Sequence, residues 1–506
     1  MLAGLNRLAR IVLSCLLLPW FGQLAIAAIA PTDFSFHHED VLGTSLDLIV
    51  RTRDAAEAER VEGAVLAEIE RLRRILSTRD SSSEISQLNR AQNPVPCSTE
   101  LLQVLGAYEQ WNLRSAGAYS AQLGELIAAW RAAETAKVLP ERTSLSRLVE
   151  ELAQTGWEID SVAHTVTRRT AVPLNVDSLG KGYIIDKALA AARAESLGTL
   201  GLLLNIGGDI HAWGASAAPG GSWRIGVANP GRHEDNAPPL TQVVLANRAI
   251  STSAAYERGY DIGGKHYSHI FDPRTGWPAS GAASATVVAS DNATANALAT
   301  TLCVLEPAEG LRLVHETPGT ECLIVAANGR ELRSDGFAAL ELLASAADGT
   351  AVKPSLWPKD FRVKLDFTLR FPEGAHKIKH PYVAVWIENA EGKPVRTVTF
   401  WANKPKYYQD MRVWWRIGRD NPDLIQAVTR ATRAAGHHSV VWDGRDDAGD
   451  PLPPGTYTVN LEVAREHGGH GHKSAPIVCG QAPAQVALAD ENEFEKAQIT
   501  YGPGGN

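Results

Sequence analysis

An α+β domain followed by an all-β sandwich of immunoglobulin-like type is the fold this sequence predicts, on three observations. Between residues 34 and 345, apolar runs such as 46–50, 200–205 and 322–326 alternate with helical stripes such as Val61, Val65, Ile69, Leu72 and Leu76. Strands interleaved with helices imply a sheet covered by helices. Beyond a Pro- and Gly-containing stretch the pattern changes to alternating runs at 363–371, 382–388, 395–401 and 457–463. Turn signals at Asp443-Gly444 and Pro453-Pro454-Gly455 separate them, which is the signature of a sandwich. Third, 506 residues accommodate two or three units of roughly 150 residues each.

The chain opens on a different character. Arg7 and Arg10 precede an apolar run at 11–25, and small residues follow in Ala25-Ile-Ala27 and Ala28-Ile-Ala30. This is the order of a secretory signal, so residues 1–30 are expected to be removed on export, into a bacterial periplasm. A membrane anchor is disfavoured by Pro19, Gly22 and Gln23 and by a run shorter than the roughly 20 residues a span needs. A lipidation box ending at Cys15 is outweighed by the apolar run that continues past it.

The predicted first domain, 31–345, starts with a strand headed by Gly43-Thr44 and the long helix carrying the Val61–Leu76 stripe. Ser81-Ser-Ser-Glu84 interrupts and recaps the chain. A helix is expected over 101–114, and a turn then a helix over 116–130. Short strands follow at 158–159, 162–166 and 171–176, then a helix from Ser178 to about Glu195. The strand at 200–205 ends in Ile206-Gly207-Gly208-Asp209. A helix near Leu311 precedes the strand at 322–326. A linker is expected at 346–360, the sandwich at 361–466, and a disordered tail rich in Gly, Pro and His at 467–506.

Composition narrows the function classes. With 44% apolar and 21% charged residues and a net charge of −8, the chain has no basic footprint for nucleic acid. Cys97, Cys303, Cys322 and Cys479 match no zinc or redox spacing, and buried thiols and disulfides both remain open. Signatures for phosphate-binding Walker loops, dinucleotide folds, zinc proteases and nucleophile elbows are absent from the sequence.

What remains is a set of turns suited to phosphate. Gly180-Lys181-Gly182 lies at a helix start, where free N–H groups and the dipole favour anions. Asn205-Ile-Gly207-Gly208-Asp209 is a strand-end turn where bare backbone can approach a ligand. Ser251-Thr252-Ser253 supplies hydroxyls, and His269-Ile-Phe-Asp-Pro-Arg-Thr-Gly276 supplies an imidazole. Asn296 and Thr300, four apart, share a helix face. Singly, each is as common in an ordinary turn or helix.

In this order, the five motifs resemble the FAD:protein FMN transferase (ApbE) family. The likeness extends to Val41-Leu-Gly-Thr44, Leu76-Ser77, Ser83-Glu84, Leu88-Asn89 and Ser115-Ala-Gly-Ala-Tyr119, and covers about residues 35 to 340. The resemblance implies that FAD is the substrate, that AMP leaves, and that FMN becomes a phosphoester on Thr or Ser of an exported acceptor. By position it implies His269 as the catalytic histidine. Magnesium would be held by the Gly180 carbonyl, residue 296 and Thr300. Lys181, Asn205, Gly207, Gly208, Asp209, Thr252 and Ser253 would line the nucleotide. Membrane association would come only through membrane-bound redox partners.

The chain departs from that pattern. The family has aspartate where Asn296 stands, and asparagine keeps an oxygen but loses the charge that magnesium favours. Asp291 is expected to cap the helix rather than to replace the ligand. The family also has glycine where Ala254 stands and aspartate where Ser120 stands. A flavin-binding protein without turnover, and a FAD pyrophosphatase, are therefore the alternatives. The C-terminal part resembles a domain of uncharacterised function found with flavin-linked exported proteins, through Tyr382-Val-Ala-Val-Trp-Ile-Glu388 and Val441-Trp-Asp-Gly-Arg-Asp-Asp447. Gln426–Thr432 has the outline of a flavin-acceptor motif, with Gln and Arg430 where Asp and Gly are needed, so a polar loop is expected there. His467, His470 and His472 suggest a solvated tail, and Trp386, Trp414, Trp415 and Trp442 suggest sandwich core.

Overall fold

The computed structural model describes residues 30–504 apart from 219, 233, 257, 343–354, 371–379, 403–404, 422–428, 431 and 467. The expected leader, Cys15 included, and most of the expected linker thus lie outside the described residues. Among the described residues no helix is long and apolar enough to cross a membrane.

Eight strands form one sheet in the order Thr32–Val41, Thr44–Thr52, Gly201–Ile206, Asp209–Gly214, Arg248–Ala254, Ala282–Ala289, Glu321–Ala326, Glu331–Arg333. Every neighbouring pair is antiparallel. The helices are α1 (Ala55–Leu76), α2 (Glu84–Arg90), α3 (Thr99–Arg114), α4 (Gly124–Ala136), α5 (Arg142–Leu152), α6 (Asp177–Ala194), α7 (Asn292–Val304) and α8 (Pro307–His315).

The main core lies between one sheet face and α1, α6 and α7. Leu46, Leu48 and Val50 alternate onto it, as do Leu202, Leu204 and Ile206, and they meet Val61, Val65, Leu72, Ile185, Leu298 and Leu302. Burying each such side chain contributes about 1.5–3 kcal/mol. The α1 stripe falls where its spacing predicts, Asp54 accepts the Ala56 amide at its start, and Ser83 caps α2. The opposite sheet face takes Leu203, Ile250, Val288 and Leu323 against Trp223 and Val243 of a separate strand pair.

Three local features differ from what the sequence suggests. The predicted first strand is the second arm of a hairpin whose first arm, Thr32–Val41, alternates weakly because it is an exposed edge. Residues 171–176 bury Val172, Leu174 and Val176 as a strand would, yet run outside any ladder. Helix α5 was masked by a short, mostly polar sequence.

The second domain is a sandwich. One sheet has the order Gly436–Trp442, Phe361–Leu369, Phe494–Pro503, Ala484–Ala487; the other Thr429–Arg430, Pro394–Trp401, Tyr382–Glu388, Gly455–Ala464, His470–Cys479. Between them lie Leu365, Phe367, Val385, Leu461 and Ile499, with Trp357 edge-on to Trp442 and Tyr501. Trp442 lies in this core as expected, but Trp386 and Trp414 are buried on the other face of the second sheet with Phe400 and Met411, and Trp415 is half-buried beside them.

The disordered tail is overturned. His470–Cys479 pairs with Gly455–Ala464 along its whole length, and Phe494–Pro503 runs inside the other sheet. Phe494, Ala497, Ile499 and Tyr501 are buried there, a periodicity hidden by the surrounding Gly, Pro and Ala. His470 is consequently no free ligand: its Nε2 lies 2.6 Å from the fully buried Glu462 carboxylate. His472 stacks on Trp386. Cys97, Cys303, Cys322 and Cys479 are all free and buried, and burial pushes the thiols of Cys303, Cys322 and Cys479 up to about 12.

Candidate functional site

Helices α6 and α7 cross at close range, and the site forms where they meet the sheet. Gly182 makes that approach possible, since a Cβ there would sit 2.6 Å from the Asn292 carbonyl oxygen. From α6 come Ser178, Gly180 and Lys181, and from α7 come Asn296 and Thr300. The Gly207-Gly208 turn joins Gly201–Ile206 to Asp209–Gly214 and has φ of +55° and +90°. A Cβ on Gly207 would also strike Thr44, 2.6 Å away.

The side chains form a continuous oxygen cluster. Ser178 Oγ donates to Asn296 Oδ1 at 2.8 Å and lies 3.2 Å from Thr300 Oγ1. Ser253 Oγ approaches Thr300 from the sheet at 3.2 Å. Asn296 Nδ2 donates to Asp209 Oδ2 at 3.1 Å, and the same carboxylate pairs with Lys181 Nζ at 2.6 Å. Lys181 also reaches the Gly207 carbonyl at 3.4 Å. Six of the expected residues are thus brought together: Lys181, Gly207, Asp209, Ser253, Asn296 and Thr300. Gly180 and Gly208 adjoin them in sequence, but Gly180-Lys181-Gly182 does not offer the free amides expected of a helix start, because α6 begins at Asp177 and the Gly180 amide donates to the Val176 carbonyl at 2.8 Å.

Asn205 and Thr252 lie apart from this cluster. Successive strand residues face opposite ways, and Thr252 pairs with Thr286 Oγ1 at 2.9 Å on the far side of the sheet from α7. Asn205 contacts Asp47 and accepts the Gly208 amide at 2.9 Å, so it shapes the turn. His269 is exposed, and its Nδ1 lies 2.9 Å from the Arg258 carbonyl. A carbonyl only accepts, so Nδ1 carries the proton and a neutral ring has its lone pair on Nε2.

Two departures are explained locally. Ser120 Oγ accepts the Gln122 amide at 3.0 Å, a turn-closing contact an aspartate would also make. Asp291 caps α7 through the Thr294 amide at 2.8 Å, as expected. Nothing in the structure explains why alanine rather than glycine stands at 254.

The model of the ApbE family matches residues 42–324, more than half of the chain. The chain belongs to that family. Among curated proteins, the ApbE domain is similar to the FAD:protein FMN transferase of Treponema pallidum, 27% identical over 59% of this chain and 86% of the relative. It is also similar to that of Klebsiella pneumoniae, 23% identical over 57% of this chain and 88% of the relative. Among solved structures, the ApbE protein of Thermotoga maritima superposes with TM-score 0.55 at 26% identity, over 62% of this chain and all of that one. Residues 364–496 match a family described as a predicted periplasmic protein (DUF2271).

Ser178 and Asp186, to which the motifs give no role, hold this arrangement together. Ser178 sits three residues before Lys181, hence on the same helix side, and receives a hydrogen bond from the Tyr119 hydroxyl at 3.1 Å. Burial pushes the Tyr119 phenol up to about 12, so it remains a donor. Asp186, four residues after Gly182, accepts the amides that open α7.

Where a polar loop was expected, Thr429–Arg430 pairs with Phe400–Trp401 as a short strand, and Thr432 is buried and donates to Glu39 Oε1 at 2.8 Å; the rest of 426–432 lies outside the described residues.

Proposed function

We propose that this protein is an exported FAD:protein FMN transferase, acting on FAD and on a Thr or Ser of an acceptor protein outside the cytoplasm. The observation that carries this reading is the oxygen cluster at the α6–α7 crossing, set beside the Gly207-Gly208 turn in an ApbE domain. The match of the sandwich to a family described as periplasmic supports the location.

The donor set suits Mg²⁺ in kind. Every side-chain atom turned into the cluster from Ser178, Asn296, Thr300 and Ser253 is an oxygen, as a hard cation requires. The set is poor in charge, because Asp209 is its one carboxylate and is paired with Lys181. Among the described residues no group of three or more His, Cys, Asp or Glu could hold a metal. Asn296, Thr300 and the Gly180 carbonyl would hold the ion, which when bound neutralises pyrophosphate charge.

The chain's own groups account for the remainder. Lys181 and the bare backbone of Gly207 and Gly208 offer positive charge and close approach to the pyrophosphate. The Nε2 lone pair of His269 takes the proton of the acceptor hydroxyl. That oxygen bonds to the FMN phosphorus, the bond to the bridging oxygen breaks, and AMP leaves with the electron pair.

Asn296 favours one second reading, a protein that retains FAD with little turnover. Incubating the mature protein with FAD, Mg²⁺ and an acceptor, then measuring AMP and acceptor mass, separates them. Covalent FMN supports the transferase, AMP without adduct a pyrophosphatase, and bound FAD without AMP the holder.

A further inference from the structure

We propose that Asp209 is a positioning residue that turns Asn296 into a usable metal ligand by fixing which end of its amide faces the oxygen cluster. The proposal rests on the reading of this site as a hard-cation site.

An asparagine side chain presents an oxygen at one end and two N–H donors at the other, and half a turn exchanges them. Only the oxygen end can ligate a cation. An aspartate at the same place has no wrong orientation, so a chain with asparagine needs something to choose. Here the choice is made by hydrogen bonds running in one direction. The Tyr119 hydroxyl donates to Ser178 Oγ, and Ser178 donates to Asn296 Oδ1. Asn296 Nδ2 in turn donates to Asp209 Oδ2, where Lys181 donates as well.

Reversing the amide would break this order at one point. Ser178 could accept from an N–H as readily as it donates to an oxygen, so it exerts little preference. The Asp209 carboxylate only accepts, and Asn296 Oδ1 facing it would set two acceptors against each other in a site where Asp209 is 5% and Asn296 8% exposed. The carboxylate therefore decides. It also leaves a negative charge one hydrogen bond away from the ligand position, where an aspartate at 296 would have put it directly.

Mn²⁺ binding to the full mature chain, followed by titration calorimetry and electron paramagnetic resonance without FAD, tests this. The proteins are wild type, Asp209→Asn, Asn296→Asp and the double variant. An asparagine at 209 can donate as well as accept, so it no longer selects the orientation. Asp209→Asn is expected to weaken Mn²⁺ about tenfold or more beside Asn296, the usual size of such an outer-partner effect. In the Asn296→Asp background it should change affinity by less than about threefold. Lys181→Met, which removes the ion pair but keeps the acceptor, should not weaken Mn²⁺; a loss matching that of Asp209→Asn would overturn the proposal and assign the effect to the ion pair.

Equal losses in both backgrounds, or none beside Asn296, would also overturn it. Binding by Asn296→Asp but not by wild type would overturn the inference and leave the metal reading of the family site intact. Binding by neither would remove both.

Discussion

The carboxylate of Asp186, on α6, accepts the backbone amide of Asn292 at 2.8 Å and so ties α6 to the first residue of α7. Its other oxygen accepts the Ala293 amide at 2.9 Å, while His211 Nδ1 lies 2.7 Å from the oxygen that accepts Asn292. A helix start has unsatisfied amides and a positive dipole end, so a carboxylate there is doubly suited. Asn296 and Thr300 sit one and two turns further along the same helix. Asp186→Ala is expected to cost about 2 kcal/mol, from two amides left unpaired. A melting temperature lowered by several degrees, with weaker Mn²⁺ binding, would bear this out; an unchanged melt would show that α7 is held by packing alone.

His269 is exposed, and its ring is oriented by the Arg258 carbonyl. Removing it should touch chemistry and not folding. His269→Ala is expected to lower FMN transfer by roughly 10²–10⁴-fold, the range for loss of a general base, with an unaltered melting temperature. Acceptor mass and AMP release measure the first, and a thermal melt the second. Transfer within tenfold of wild type would remove His269 from the role proposed for it.

Asn296→Asp would restore a charge at the ligand position, near Asp209 and with Lys181 available to both. Attraction of the new carboxylate for Mg²⁺ should exceed the repulsion between the two acids once the cation is present. Mg²⁺ affinity is expected to rise roughly tenfold, equivalent to about 1.4 kcal/mol, and turnover to rise with it. No change in either would mean that the neutral amide is no handicap at this site.

Glu57 makes stability depend on pH. It is buried at the base of α1, where it accepts from Thr52 Oγ1 and the Gly198 amide at 2.7 Å each, and from Thr199 Oγ1 at 2.9 Å. Burial pushes its pKa up, but these donors together outweigh burial and leave it below the ordinary value. A depressed folded-state pKa means stability that is present above the unfolded value, about 4.3, and lost as pH falls through the folded one. Melting temperature should therefore fall as pH drops below about 4, and Glu57→Gln, less stable at pH 7, should flatten that fall. A parallel decline in both proteins would assign acid sensitivity elsewhere.

How much of this was legible in the sequence follows from what each signal depends on. The α1 stripe and the doubly buried run at Gly201–Ile206 depend on local periodicity, and both fall where expected. The edge strand Thr32–Val41 and helix α5 carry few apolar residues and are held mainly by neighbours. His470–Cys479 alternates in burial, but glycine and histidine obscured that alternation. In the candidate site, residue types and order pointed to Lys181, Asp209, Asn296 and Thr300, which lie together in the structure. That Thr252 faces away from Ser253's side of the sheet was implicit in strand alternation. The role of Ser178 was not legible, because it depends on Tyr119 and Asn296, respectively 59 and 118 residues away.

The sandwich is joined to the ApbE domain through a loop that completes a sheet edge. Gly436–Trp442 is an edge strand, and an exposed edge is a place where chains pair wrongly. The Asp235 amide donates to the Ser439 carbonyl at 2.7 Å, and Asp235 Oδ2 accepts the Ser439 amide at 3.1 Å. The Asn236 side chain then pairs both ways with Val441, at 2.7 and 2.8 Å. Asp235 also faces His438 at 3.2 Å and Arg433 at 3.6 Å. Burial raises its carboxyl pKa, but the His438 contact, the Ser439 amide and the charges of His438 and Arg433 bring it below the usual range. Docking is accordingly strongest above about pH 4 and weakens as pH falls through that lowered value. Asp235→Ala should leave the Ser439 amide and two basic groups without their acceptor, at a cost of about 2–4 kcal/mol to the junction. Limited proteolysis at neutral pH should then cut between the domains faster than in wild type, and small-angle scattering should show a larger radius of gyration. Identical cleavage and scattering would mean that Glu39, bound to Thr432 and to the His380 amide, holds the sandwich in place without the loop.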